Sequence, residues 1–436
     1  MAEQDRELLP AAKNFVLELV QAMPSHVKPK WQGARWIGAI DIDCLLGHAV
    51  LKLRNSEGYS RARLLVREGL SVRGFVDVQA RGGILDRRAL EAAAASLPAA
   101  EPVPDSAPTP AITVVICTRD RAEMLRESLS AVLRLDYPTF DVVVVDNAPT
   151  DSATSDLVRV VFPDPRVRLV TEPVPGLSHA RNAGLRHSQS EIVAYTDDDV
   201  VVDKWWLREL AAGFARAGDV KCVTGLVPAG EMRSEAQGYF EDRVSWSKRL
   251  SPRVYSLAEP PVDLPTFPFC VGAFGTGANF AVDRCAALAL GAFDTSLGVG
   301  TRTGGGEDID MFTRVILGGH SLVFQPSAIV WHRHRDDLAA LRTQAKGYGN
   351  GLGAWITKIL LNPRTARLAL ARSPRAVRGF WRNARRPSSG DTPERDLLLD
   401  SWGPRIAMAL WLEVLWVAIG PINYLLQRRS GEDADE

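Results

Sequence analysis

Three short apolar runs set the limits on what this chain can fold into. They are "ITVVICT", "DVVVVD" and "EIVAYTDDD". Each is too short for a helix and too continuously apolar for a half-exposed strand, so each reads as a strand buried on both faces. Helical patterns lie between them. "RAEMLRESLSAVLRL" carries Met124, Leu125, Leu129, Val132, Leu133 and Leu135 on one face, and "ATSDLVRVVF" and "SHARNAGLRHS" are shorter helices around the strand "VRLVTE". This alternation predicts an α/β fold, a mostly parallel sheet flanked by helices. Ligands on such sheets bind outside the carboxyl ends of the strands. Those ends are Thr118-Arg119, Asp146-Asn147 and Asp197-Asp198-Asp199, all polar or charged.

The acid triplet needs a physical reason. Adjacent carboxylates repel and raise one another's pKa. Most acidic triplets are solvated turns. This one has apolar strand on both sides, which leaves little room to splay into water and favours a bound cation. Asp197 and Asp199, two residues apart at a strand end, can point to the same side. Mg²⁺ or Mn²⁺ would take their oxygens and keep positions open for phosphate. Arg119 and Arg121 follow the first strand near a helix start, a position that favours anions, and Arg181 and Asn182 lie in "SHARN" within reach of the same rim. Any one of these arginines alone is most simply a surface charge.

Residues 298–319, "GVGTRTGGGEDIDMFTRVILGG", bring a glycine-rich loop into Glu307 and Asp308 at the start of a helix. Acids in a first turn are usually caps. That accounts for one acid, and less well for two after a flexible approach; a carboxylate there suits a general base. "SLVFQPSAIVWHRHR" reads as two short strands ending in His332 and His334. A histidine pair after an apolar strand modestly raises the odds of metal contact.

The rest of the chain bounds the setting. Its 436 residues suffice for two or three domains, and acids and bases balance to a formal zero, which gives no argument for nucleic acid. Five scattered cysteines form no C-x-x-C pair, so neither a zinc site nor a disulfide framework is implied, and a reducing cytosol fits. The start, "MAEQDRELLP", lacks the apolar core of a signal peptide. Residues 7–22 have helical spacing. Residues 29–79 alternate with period two and read as a small antiparallel sheet. "DRRALEAAAASL" reads as a helix opened by Asp86, and the Pro- and Ala-rich segment after it reads as a linker. The expected division is a small N-terminal α+β domain over 1–97, a linker over 98–110, a catalytic domain over 111–335 and a helical C-terminal region over 336–436.

Taken in order, "VVICTRDRAEMLRESLSAVLRLDYPTFDVVVVDNAPTD", "GLSHARNAGL", "AYTDDDV", "GTGANFAV", "GGGEDIDMFTRVILGG" and "VWHRH" resemble the family-2 glycosyltransferases, over about half of the chain. The resemblance implies the GT-A nucleotide-diphospho-sugar transferase fold and an inverting, metal-dependent transfer from a nucleotide-sugar donor to a hydroxyl, in cell-surface glycan or polysaccharide biosynthesis. It implies that Thr118 and Arg119 line the nucleotide pocket, Asp146 touches base or ribose, and Arg121, Asn147, Arg181 and Asn182 lie near the donor. Asp197, Asp198 and Asp199 stand for the family's DxD motif: Asp197 and Asp198 on the donor side, Asp197 and Asp199 on Mn²⁺ or Mg²⁺. Asp308 stands where the base sits, with Glu307 the other acid of the pair. His332 would be a further metal or diphosphate contact, with His334 the fallback. "DNAPTD" departs from the commoner "DDGSTD", which bears on nucleotide contact. The Q-x-x-R-W motif of processive synthases is replaced by "TQAKGYGNGLGAW", favouring addition of one or a few sugars. The rival readings are a non-catalytic glycan- or nucleotide-binding protein on the same fold and a nucleotidyltransferase. The latter would want a Gly-rich, Lys-bearing loop where "CTRDR" stands.

The tail raises a membrane question. Residues 358–386 hold basic residues and no acid, and residues 406–426 are long enough to span a bilayer, but Glu413 sits near their middle. A basic, Trp-bearing amphipathic segment lying on an anionic membrane, at its cytoplasmic face, fits better. The competing expectation is a helical hairpin packed on the catalytic domain or on a second subunit of a homodimer. The acceptor would then be a glycan or a lipid-linked sugar.

Overall fold

A computed structural model describes residues 16–25, 27–29, 31–45, 50–101, 108–244, 246–372 and 415–430. The chain divides into two compact units, residues 1–102 with 230–234, and residues 103–229 with 235–436.

The first unit is built on a six-stranded sheet. Its strands run in the order Val16–Leu19, Val50–Leu53, Ile84–Leu85, Ser71–Arg81, Arg61–Glu68, Trp36–Asp41. The sheet is mixed, not antiparallel as the alternation suggested. Val16–Leu19 pairs parallel to Val50–Leu53, and Trp36–Asp41 parallel to Arg61–Glu68. Period-two alternation fixes which side chains face the core but says nothing of strand direction. The helix expected over 7–22 is also corrected at 16–19, which form a strand. There Leu17 and Leu19 turn inward and Glu18 outward, where it meets Arg54 at 3.0 Å. Asp86 does open a helix, Arg87–Ala95, accepting from the Ala89 amide at 3.2 Å.

The second unit carries the predicted α/β pattern. We number its elements β1 (Ile112–Thr118), α1 (Ala122–Leu133), β2 (Phe140–Asn147), β3 (Val167–Glu172), α2 (Leu177–His187), β4 (Ile192–Asp197), β5 (Val200–Val202), α3 (Trp206–Phe214), β6 (Val220–Leu226), α4 (Glu235–Arg243), β7 (Asn279–Asp283), α5 (Glu307–Leu317), β8 (Ser321–His332) and α6 (Leu338–Leu361). The sheet order is β5-β8-β6-β7-β4-β1-β2-β3. Strands β4, β1, β2 and β3 are parallel, and β7 runs antiparallel between β4 and β6. Val114, Val142, Val144 and Ala194 of the sheet are fully buried with Leu125, Leu129 and Val132 of α1 and Trp206 and Leu210 of α3. Fully buried strands must be apolar throughout, which is why these three runs could be read without a partner in view.

Register places the site. Thr118 pairs with Asp146 and Cys117 with Asp197, so the polar ends of β1, β2 and β4 share one rim. The short β5 then doubles back antiparallel to β8, pairing Val200 with His332. That pairing sets Asp199 beside the end of β8. Instead of two short strands, β8 is a single strand of 12 residues. Pro326 cannot donate to a ladder. The pairing with β6 steps from Gln325 to Ile329, so the proline is absorbed as an irregularity and not as a break.

Glycines stack the C-terminal helices. A Cβ on Gly351 of α6 would lie 2.5 Å from the Gly305 carbonyl carbon, and one on Gly353 would lie 2.1 Å from the Val417 oxygen. The helix over 415–430 therefore lies backbone to backbone on α6, and α6 on the loop before α5. Tyr424 is buried there and donates to Asp294 at 3.3 Å, and Asn423 donates to Asn350 at 3.1 Å. The second half of the apolar stretch 406–426 thus packs on the catalytic unit, while Glu413 and the basic residues beyond 372 lie outside the described residues. Among the described residues no helix is long and apolar enough to cross a membrane.

Candidate active site

The rim opens into a cleft of about 1530 Å³, lined from one side by β1, β4 and β8 and from the other by the 298–306 loop, α5 and α6. The triplet splits along the strand as its spacing predicts. Asp198 turns toward β1, where Thr118 Oγ1 donates to it at 2.7 Å and Arg121 Nη1 at 2.6 Å. Arg121 also reaches Asp199, Nη2 to Oδ2 at 2.8 Å, and Arg335 lies 3.5 Å from the same oxygen. Asp197 and Asp199 face the end of β8. A ligand atom from each, together with one from His332, falls within 4.8 Å of the others.

Electrostatics matches that crowding. Asp197 is pushed up to about 7, first by desolvation, with Arg181 opposing and Asp199 adding repulsion. Asp198 is pushed up to about 6 by burial, against Arg121. Burial also pushes Asp199 upward, but in acid, where it titrates, protonated His332 with Arg121 and Arg335 outweighs burial and holds it below the ordinary value. Burial brings His332 down to about 4, which leaves a neutral imidazole with a lone pair at neutral pH. Two carboxylates and a neutral imidazole are a donor set suited to Mn²⁺ or Mg²⁺, and three protein ligands leave room for diphosphate oxygens. The residues present fit such an ion, which would also relieve the repulsion among the acids.

Arg181 joins this half of the cleft to the other. It is 3% exposed. It donates to Glu307 at 2.9 Å and to the Gly277 carbonyl at 3.0 Å, and lies 3.8 Å from Asp197. The two acids of "GGGED" therefore part company. Glu307 is buried and committed through Oε1 to Arg181, and burial raises its pKa against that pairing. Asp308 is partly exposed to the cleft, oriented by the Gly277 amide at 2.7 Å and the Ile309 amide at 2.8 Å.

The other expected residues fall in distinct places. Arg119 is exposed on the cleft wall. Asp146 is buried, its Oδ1 has no hydrogen-bond partner among the described residues, and burial raises its pKa against a hydrogen bond from Thr154. Asn147 borders the cleft but spends its amide on the chain, accepting from Gly176 N at 2.9 Å and donating to Val174 O at 2.7 Å. Asn182 is committed to Phe293, donating to its carbonyl and accepting from its amide, both at 2.8 Å. It holds a loop and does not line the cleft. His334 stands behind His332, their Nδ1 atoms 3.0 Å apart, and Glu241 stands behind His334 at 3.0 Å from its Nε2. Glu241 and Arg335 went unnoticed in sequence. Arg335 had a signal, since it follows the histidine pair directly. Glu241 had none, because its partner is 93 residues away.

Comparison with known proteins bears on the family. The family described as Glycosyl transferase family 2 matches residues 113–283. The chain is 30% identical over 250 residues to the Succinoglycan biosynthesis protein ExoM of Rhizobium meliloti, covering 54% of this chain and 71% of that protein. It is 27% identical over 252 residues to the Pre-mycofactocin glycosyltransferase of Mycobacterium tuberculosis, covering 57% of this chain and 48% of that one. The chain thus spans about half the length of the mycobacterial relative. Among solved structures it is similar to the mannosyltransferase PcManGT from Pyrobaculum calidifontis, in complex with GDP-Man and Mn²⁺. The TM-score is 0.47 at 20% identity, over 72% of this chain and 88% of that one. A relative 30% identical across most of its own length, together with the family match on β1 through β7, establishes that the chain belongs to glycosyl transferase family 2.

Proposed function

We propose that this chain transfers a sugar, with inversion, from a nucleotide-sugar donor to a hydroxyl of a glycan or lipid-linked acceptor. One observation carries the reading: Asp197, Asp199 and His332 converge on one wall of the cleft whose other wall presents Asp308. Asp197, Asp199 and His332 would hold a divalent cation there, which when bound would supply positive charge against the negative charge developing on the departing diphosphate. Arg119 and Arg121 add positive charge on the β1 side, while Asp146 is buried and does not line the cleft. Asp308 takes the proton from the acceptor hydroxyl. That oxygen forms the new bond to the anomeric carbon as the bond to the diphosphate oxygen breaks, and nucleoside diphosphate leaves. Glu307 is tied up by Arg181, which favours Asp308 as the base.

Of the basic segment from 358, Lys358 is spent on Asp294 and Asp310, at 2.7 and 2.8 Å, and Arg364, Arg367 and Arg372 are the described cations that support peripheral attachment to an anionic membrane. So do the exposed Leu360 and Leu361 just before these arginines in the chain, and Leu415, Ile422 and Leu425 on the helix over 415–430. Attachment there would bring a lipid-linked acceptor within reach.

The test is a pair of variants read separately for binding and turnover. Asp199→Asn should abolish Mn²⁺-dependent binding of nucleoside diphosphate with the fold intact. Asp308→Asn should keep binding and lose about 10²–10⁴ in transfer rate. Unchanged Mn²⁺ and nucleotide binding in the first variant refutes the metal site. An active Asp308→Asn beside a dead Glu307→Gln moves the base to Glu307.

A further inference from the structure

Behind the metal-facing wall runs a line of buried polar groups that the reaction does not itself use. His332 Nδ1 lies 3.0 Å from His334 Nδ1, and His334 Nε2 lies 3.0 Å from Glu241 Oε2. The side chain of His334 is fully buried, with the rings of Phe240 and Trp246 edge-on to it at 4.7 and 6.3 Å. Glu241 is held in turn by the Ala229 amide at 3.2 Å and by the Ser247 hydroxyl.

The polarity of this line follows from its far end. A backbone amide can only donate, so the Glu241 oxygen that Ala229 meets is an acceptor. The same oxygen then takes the proton on His334 Nε2. With that proton spent, the single-proton tautomer of His334 offers a bare Nδ1. Two ring nitrogens 3.0 Å apart need one proton between them, so His332 must carry it on Nδ1. Its remaining nitrogen, Nε2, is the one that faces Asp199, at 3.5 Å. It is left with its lone pair outward.

We infer that Glu241 and His334 are positioning residues that set the tautomer of His332, keeping Nε2 unprotonated and aimed at the cation site shared with Asp197 and Asp199. This rests on the metal-dependent reading above. The arrangement solves a local problem. A histidine next to a carboxylate would otherwise lower its energy by donating Nε2–H to Asp199, and a protonated nitrogen cannot bind a metal. The outer hydrogen bonds remove that option before any ion arrives. Outer partners of this kind typically account for 10–100-fold in metal affinity.

The test uses the full chain and Mn²⁺ alone, with free ion followed by electron paramagnetic resonance. His334→Phe keeps the ring packing but removes the acceptor, and should weaken Mn²⁺ binding about 10–100-fold. His334→Asn puts an amide oxygen where Nδ1 was and should restore most of the affinity, which a merely space-filling role would not. His332→Phe is the reference. If it loses Mn²⁺ while His334→Phe binds like the parent, the relay is wrong and the metal site stands. If His332→Phe itself binds like the parent, the metal reading fails and takes the relay with it. A second measurement needs no altered relay. In ¹⁵N-histidine-labelled parent protein, the His332 resonances, assigned by their loss in His332→Phe, should report a protonated Nδ1 and a bare Nε2. The opposite tautomer overturns the inference.

Discussion

Replacing Arg181 with Met tests whether the two halves of the cleft are held by one buried charge. Arg181 is 3% exposed, and its guanidinium lies over the rings of Phe280 and Phe293 at 5.4 and 5.6 Å. Its ion-pair partner Glu307 is nearly as buried, at 7% side-chain exposure. Methionine fills much of the volume but leaves Glu307 and the Gly277 carbonyl without their donor. Breaking a buried pair by removing one partner costs about 3–5 kcal/mol. That is a large share of the roughly 5–15 kcal/mol that holds a domain folded. Glu307, already pushed up by burial and opposed mainly by Arg181, should then take up a proton. Adding Glu307→Gln removes the unpaired acid and should return at least about 1 kcal/mol as a coupling between neighbours. The chain has two units, so a global melting curve would mix them. Hydrogen exchange of the β4 and β7 amides against urea reports the catalytic unit alone. A loss below about 1 kcal/mol in Arg181→Met, or a double variant no better than the sum of the singles, would refute this account of Arg181.

Two further expectations concern the wall and the tail. Burial raises the Cys117 thiol to about 12, so its thiolate fraction at pH 8 is on the order of 10⁻⁴. Iodoacetamide at pH 8 should label the exposed Cys285 and spare Cys117, and mass spectrometry showing Cys117 modified at a comparable rate would contradict its environment. The full chain should float with anionic vesicles at low salt and release at high salt. Exchanging Arg364, Arg367 and Arg372 for Gln should remove about 3 kcal/mol, roughly 100-fold in partitioning; equal flotation of parent and variant, or none by the parent, removes the membrane from the proposal.

What could be read in advance divides by distance along the chain. The strands β1, β2 and β4 announced themselves because strands buried on both faces leave no polar position to hide the pattern. Asp197 and Asp199 were legible as a pair because their spacing alone turns them to one side. The N-terminal unit was less so. Val16–Leu19 sits in a window whose spacing also suits a helix, and pairing with Val50–Leu53 decided the matter. The stretch before His332 reads as two short strands, and it is one because the pairing with a neighbouring strand supplies the irregularity that accommodates Pro326. The histidines were visible but not their order of action, since only the meeting of β8 with α4 ranks His332 before His334. Arg181 was expected to face the donor. Its grip on Glu307 crosses 126 residues and has no signature in either segment.

The glycine stack from Gly305 through Gly351 and Gly353 to Gly420 has a bearing on how this chain tolerates change. Between most packed helices, side chains act as shims: they rotate, exchange and take up small errors in spacing. Here no shim is present, and main chain sets the thickness directly. A single added methyl at Gly351 or Gly353 has nowhere to go except into the separation itself. The seam must then widen on one side, lifting the loop that delivers Asp308, or on the other, lifting the helix over 415–430. The placement of the acid and the seating of the tail therefore both lean on α6, each through its own main-chain contact.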